Sequence, residues 1–181
     1  MIRTFRAAGF AAAVFGLAMT IATGVSTPGQ AAAPTMPAAA FSGTLEQQVA
    51  SAARVETDDQ QQDCLASAVY FEARGEPLKG QLAVADVVLN RVHSPKYPDT
   101  VCEVVEQPWQ FSFVNATGRI PNADRSSEAW LNAVAIARIA LAGTARAVDS
   151  DVLWYHADYV SPSWGRRLAR QDQIGLHIFY S

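Results

Sequence analysis

The side chains with the clearest chemical potential lie in one run, Ala68-Val69-Tyr70-Phe71-Glu72-Ala73-Arg74-Gly75-Glu76-Pro77. On a helix from about Asp63 to Arg74, Leu65, Ala68 and Val69 stand seven, four and three positions before Glu72, the offsets that share one face. Glu72 therefore points with apolar residues. A carboxylate so placed must be paired or take up a proton, because burying an unpaired charge costs several kcal/mol. A glutamic acid at a helix end in a partly apolar cleft is what a general acid requires. The plainer reading is a carboxylate paired with Arg74 or Arg91, and the pattern alone does not choose. Glu76, beyond the Gly75 break, reads as a residue shaping the turn or the rim of a cleft.

Other chemistries fit less well. His156 and His177 fall in separate expected strands and, with Glu72 or Asp158, would make the three-ligand site of a zinc hydrolase. No H-x-x-x-H or H-E-x-x-H spacing supports that arrangement, and His93 reads as exposed, so no metal or cofactor is expected. There is no G-x-S-x-G, and neither cysteine has an activating neighbour. What remains is an aromatic and polar set, Tyr97, Phe111, Phe113, Tyr155, Trp164 and Tyr180 with Gln110, Ser112 and Asn115, suited to an elongated sugar-binding groove. For Phe111 and Trp154 a place in the core is the better expectation.

The elements that must position these residues are mainly helical. The Glu72 helix is expected to end at Gly75 as a C′ residue, with Pro77 blocking continuation. A second helix, from about Leu78 to Val92, is apolar nearly all round and should be central, leaving a narrow polar stripe of Lys79, Asp86, Asn90 and His93. A short helix follows an Asp99 or Thr100 cap, from Thr100 to Glu106, and Gln110-Phe111-Ser112-Phe113 alternates like a half-exposed strand. Ser126 or Ser127 caps a third long helix, Glu128 to Ala142, with Trp130, Val134, Ala137 and Leu141 on one face and Gly143 as its stop. Val152 to His156 reads as a strand, Pro162 to Arg170 as a loop, and Ile174 to Tyr180 as a final strand containing Gly175. The fold class expected is α+β, a small and mainly helical domain with a few short strands, spanning 63–181.

Upstream, residues 1–31 have the plan of a secretory signal peptide: Arg3 and Arg6, a continuous apolar stretch, and a small-x-small site at Gly29-Gln30-Ala31. A retained membrane anchor is the alternative. Either one directs the rest to the periplasm or outside the cell. Residues 32–62 are expected to be a linker or peripheral segment. The formal net charge of −3 becomes −5 once Arg3 and Arg6 are removed, which gives no footprint for nucleic acid. Cys64 and Cys102, an even pair in an oxidising compartment with no C-x-x-C, favour one structural disulfide over two free thiols.

Taken in order, Ala68 to Pro77, Gly80 to Arg91, Tyr97 to Cys102, Gln110 to Phe113, Tyr155-His156 and Ile174 to Tyr180 resemble the SleB-type cell wall hydrolases. The resemblance implies a lysozyme-like catalytic domain acting on peptidoglycan glycan strands between N-acetylmuramic acid and N-acetylglucosamine, with Glu72 as catalytic acid. Members related to spore germination enzymes are lytic transglycosylases, in which one glutamic acid protonates the glycosidic oxygen and then, as carboxylate, helps the muramic 6-hydroxyl close a 1,6-anhydro ring. Asp158 or Asp172 would be the second acid if hydrolysis were the outcome. The candidate substrate contacts are Glu76, Tyr97, Gln110, Ser112, Tyr155, His156, His177 and Tyr180. Proteobacterial relatives often carry a cysteine on each side of the Gln110–Phe113 block, where this chain has Trp109 and Asn115. No peptidoglycan-binding repeat is recognisable in the chain, so wall targeting is expected to rest on the groove, with an envelope partner left open. Two rival readings are a zinc-dependent N-acetylmuramoyl-L-alanine amidase using His156 and His177, and a non-catalytic wall-binding protein.

Overall fold

A computed structural model describes residues 42–53, 59–114 and 118–181; the expected signal peptide, residues 32–41 and 54–58 of the expected linker, and Asn115 lie outside the described residues. Helix α1, Leu45–Ala52, begins where the Thr44 hydroxyl accepts from the Gln47 N–H and the Gln47 side chain accepts from the Thr44 N–H, a closed capping box. Its inner face, Gln48, Val49 and Ala52, is buried against α5, Glu128–Ala142. Arg138 of α5 donates through Nη1 to the Ala52 carbonyl at 2.7 Å, satisfying a carbonyl at the end of α1. Residues 45–52 are thus part of the core and not a tether, and the domain begins well before residue 63.

Helix α2, Gln60–Ala73, starts three residues earlier than expected because Asp59 caps it, accepting from the Gln61 N–H at 2.8 Å. It is buried from Cys64 to Tyr70, and Ala66, Ser67 and Ala68 are small enough to let α3, α4 and α5 approach it closely. The helix ends at Arg74 in a right-handed conformation, so Gly75 is not the left-handed stop that its type suggested. Helix α3 occupies Leu78–Val92, the expected span, after Pro77. Helix α4, Val101–Val105, follows the Thr100 cap, and the Cys64–Cys102 disulfide ties it to α2 across a sequence separation of 38 residues. Helix α5 is capped by Ser127, which accepts from the Trp130 N–H, and closes at Gly143, where φ is +65°. Leu141 departs from its expected inward face and is exposed.

The polar stripe of α3 is not a solvated edge. Lys79 and His93 at its ends are exposed, but Asp86 and Asn90 are buried and hold the connection from α5 to the sheet. Asp86 Oδ2 accepts from the backbone N–H groups of Ala147 (2.6 Å) and Val148 (3.3 Å). Asn90 Nδ2 donates to the carbonyls of Asp149 (2.8 Å) and Val152 (2.9 Å), and its Oδ1 accepts from Arg146 Nη2 at 2.6 Å. Arg91 Nε donates to the Leu153 carbonyl at 2.9 Å. Where such a loop turns backbone groups inward they must be paired, and α3 supplies the partners. Burial pushes the Asp86 carboxyl above its ordinary range, against the pull of the two N–H donors and Arg146.

That connection delivers a three-stranded antiparallel sheet in the order β1-β3-β2: β1 Trp154–Ala157, β2 Arg170–Ile174 and β3 His177–Tyr180. Two expectations change here. The final strand is two strands, since Ile174 pairs with His177 around a two-residue turn at Gly175 and Leu176, with φ +58° at Gly175. The expected strand at Gln110–Phe113 is instead a pair of turns, closed by Gln110 N–H to the Gln107 carbonyl and Val114 N–H to the Phe111 carbonyl. Pro108 and a left-handed Trp109 (φ +67°) prevent extension, and Phe111 and Phe113 stack with each other at 5.5 Å, with Phe113 on Phe71 at 5.0 Å. Under the sheet, Ala83, Val87, Val148, Val152, Ile174 and Phe179 form a small second core beside the main helical one.

Two measurements test this frame. Replacing both cysteines by serine should lower unfolding stability by about 3–4 kcal/mol, from the loop-closure entropy returned to the unfolded chain, seen as a lower urea midpoint. Asp86→Ala should cost about 2–5 kcal/mol, since two backbone N–H groups lose their buried acceptor; a change below about 0.5 kcal/mol would mean the seam does not hold the loop.

Candidate active site

Glu72 sits in the last turn of α2, on the floor of a cleft of about 550 Å³ between two walls. One wall is the double turn carrying Trp109, Gln110, Phe111 and Ser112; the other is the sheet, with Trp154, Tyr155, His156 and His177, and the segment after β1 with Tyr159 and Trp164. The carboxylate joins them. Ser112 Oγ donates to Glu72 Oε1 and the Tyr155 hydroxyl donates to Glu72 Oε2, each at 3.1 Å. Neither Arg74 nor Arg91 pairs with it: the ion pairs among the described residues are Lys79–Asp172 and Arg125–Asp63, and Arg74 lies over the Tyr70 ring.

Tyr155 is suited to remain a donor. Burial, the adjacent Glu72 charge and the hydrogen bond to it raise the Tyr155 hydroxyl well above its ordinary range, so it keeps its proton at neutral pH. Its ring is held edge-on by His177 at 5.0 Å and packs on Phe179 at 5.7 Å. His177 is itself buried, its Nδ1 has no protein partner, and burial lowers its pKa so that the ring stays neutral. His156 has both nitrogens engaged: Nδ1 lies 2.8 Å from the Ala157 carbonyl and Nε2 2.9 Å from the Tyr180 hydroxyl. A carbonyl only accepts, which assigns the proton to Nδ1 and makes Nε2 the acceptor from Tyr180.

Arg91 brings a positive charge beneath the floor. Its Nε holds the Leu153 carbonyl and its guanidinium stacks over Tyr97 (5.4 Å) and Phe111 (5.5 Å), while Nη1 is buried without a protein partner. Burial lowers its pKa, opposed by the nearby Tyr155, Tyr97 and Glu72.

The expected contact residues divide. Gln110, Ser112, Tyr155, His156 and His177 line the cleft with Glu72; Glu76, Tyr97 and Tyr180 do not. Glu76 accepts the Leu176 N–H at 2.9 Å and fastens the β2–β3 turn to the α2–α3 junction. A Cβ on Gly175 would fall on that carboxylate, so glycine is needed there for approach as well as for φ. Tyr97 backs Arg91 and Tyr180 holds His156, each acting behind the cleft. Asp158 is exposed beside a separate hollow behind His156, and Asp172 is paired with Lys79, so neither faces Glu72. Among the described residues no three His, Cys, Asp or Glu side chains come together as a metal site. Sequence reasoning passed over Arg91, Trp109, Trp154 and Tyr159 as cleft residues. The first is recognisable only as a charge in an apolar helix; for the others no sequence signal separates cleft from core.

The family described as Cell Wall Hydrolase matches residues 75–180, beginning three residues after Glu72. The spore cortex-lytic enzyme of Oceanobacillus iheyensis is 40% identical over 119 residues, covering 64% of this chain and 39% of its own length. That of Bacillus subtilis is 39% identical over 121 residues, covering 64% and 35%. The chain thus spans well under half the length of these relatives. Among solved structures, the catalytic domain of the germination-specific lytic transglycosylase SleB from Bacillus anthracis superposes with a TM-score of 0.54 at 33% identity, covering 70% of this chain and 100% of that one. The catalytic domain of the Bacillus cereus SleB protein gives 0.50 at 35% identity, covering 71% and 96%. With its α+β architecture and its ordered motifs accounted for, the chain belongs to the cell wall hydrolase family.

Proposed function

We propose that this protein is exported and cleaves the glycan strand of peptidoglycan between N-acetylmuramic acid and N-acetylglucosamine, as a lytic transglycosylase with Glu72 as acid and then base. The observation that carries the reading is the acid inventory of the cleft: Glu72 is the one carboxyl group among its described lining residues. Glycosidases that work through water use a pair of carboxyl groups flanking the bond, about 5–9.5 Å apart. A single acid suits a reaction whose nucleophile is already on the substrate.

In that reaction the Glu72 carboxyl proton passes to the glycosidic oxygen as the bond from muramic C1 to that oxygen breaks, releasing the 4-hydroxyl of glucosamine. The Glu72 carboxylate, stabilised by the Ser112 and Tyr155 hydroxyls, then takes the proton of the muramic 6-hydroxyl as O6 bonds to C1. The ring closes without consuming water and Glu72 is again an acid. Two likenesses support the same reading: the curated relatives are spore cortex-lytic enzymes, and the Bacillus anthracis SleB catalytic domain is that of a lytic transglycosylase. An amidase using His156 and His177 has little support, because both His156 nitrogens are already bonded and His177 is buried against Tyr155.

Glu72→Gln should lower kcat on purified sacculi by roughly 10²–10⁴-fold with the melting temperature unchanged. Products from the wild type should carry 1,6-anhydro-muramic ends; reducing muramic ends would mean hydrolysis, and free peptides with intact glycan would sink the glycosidic reading. Tyr155→Phe, which removes one of two donors to the carboxylate, should reduce kcat by roughly 10–100-fold with a smaller effect on KM.

A further inference from the structure

The cleft walls carry two large side chains that the fold does not use. Trp109 is the one non-glycine residue with positive φ among the described residues, and its indole is 79% exposed. A left-handed backbone is sterically costly for any residue with a Cβ, and an exposed indole recovers nothing through burial. Glycine would relieve the strain at no visible loss to packing. On the other wall Tyr159, just after β1, is 82% exposed. Both rings line the cleft that holds Glu72. Trp109 stands three residues before Ser112 and Tyr159 four residues after Tyr155, the two residues that grip the carboxylate from either side.

We propose that Trp109 and Tyr159 are pyranose-stacking platforms, one on each wall, that hold the sugar units flanking the bond at Glu72. The proposal rests on the glycan-strand reading and deepens it. A pyranose presents a face of C–H groups, and a flat ring laid on that face removes apolar area from water while the hydroxyls at the sugar's edge stay free to bond. Tryptophan and tyrosine are rigid and lose little side-chain freedom when they bind. Backbone strain at an exposed cleft residue is the mark of geometry kept for binding at the expense of stability. The same feature supplies a signature that a merely structural tryptophan would not give.

The test compares Trp109→Gly, Trp109→Phe and Tyr159→Ala in the full chain. Melting temperature and kinetics on sacculi are read for each, and calorimetric binding of peptide-free glycan strands is read in the Glu72→Gln background. Trp109→Gly should keep or raise the melting temperature while weakening strand binding roughly tenfold and raising KM in proportion, with kcat little changed. Trp109→Phe should restore most of the binding, and Tyr159→Ala should show the same split. Unchanged affinity in both truncations overturns the proposal. So does a clear loss of thermal stability in Trp109→Gly, which would make the indole part of the fold. A protein that binds the strands through these rings yet cuts no glycosidic bond would overturn the cleavage reading and leave the platforms standing.

Discussion

The seam between α3 and the segment 146–153 is the interaction on which the site depends. Asp86 and Asn90 share one face of α3, and with Arg91 they take up five backbone groups of that segment. Each bond adds about 0.5–1.5 kcal/mol net, but an orphaned buried backbone group costs about 1–3 kcal/mol. The seam therefore acts mainly by excluding other placements. An apolar helix face would let the loop slide; directed donors and acceptors permit one register. β1 leaves the seam at Trp154, and one residue later Tyr155 meets Glu72.

The opposite wall is held by different physics. The disulfide fixes α4 against α2, and the double turn that follows stacks Phe111 on Phe113 and Phe113 on Phe71, the neighbour of Glu72. Ser112 is thereby presented to the same carboxylate. Glu72 is thus a report on both walls: a shift in either changes the hydrogen bonding of its carboxylate. Because Tyr155 keeps its proton, the site offers Glu72 two neutral donors and no second negative charge, which fits the acid-then-base role proposed for it.

The two glutamates of the Glu72–Glu76 run have separate duties. Glu72 faces the cleft, whereas Glu76 latches the hairpin turn through the Leu176 N–H and requires a bare Gly175 to reach it. The latch joins β2–β3 to the α2–α3 corner, so one short stretch supplies both the carboxylate of the cleft and an anchor for the sheet beside it. Trp109 shows the converse priority, a side chain kept where the backbone pays for it.

The limits of α3, α4 and α5 were legible because their causes are local, whereas α2 begins three residues before its expected start and does not use Gly75 as its stop. Ser127 and Gly143 bracket α5, Thr100 opens α4, and the apolar periodicity of α3 needs no distant partner to be recognised. The inward aim of Glu72 follows from helix spacing in the same way. Capping and periodicity act within a few residues, so side-chain types along the chain suffice. The division of the last strand at Gly175, the turn at Gln110–Phe113 and the core role of Leu45–Ala52 were not legible, since each is settled by contacts with residues far away in the chain. The polar stripe of α3 makes the point most directly. Its composition suits a solvated edge and a buried seam equally, and the difference is whether a loop some 60 residues onward brings unpaired backbone to it. Which side chains face the cleft with Glu72 is likewise a property of two walls meeting, and that meeting exists only once the chain has folded.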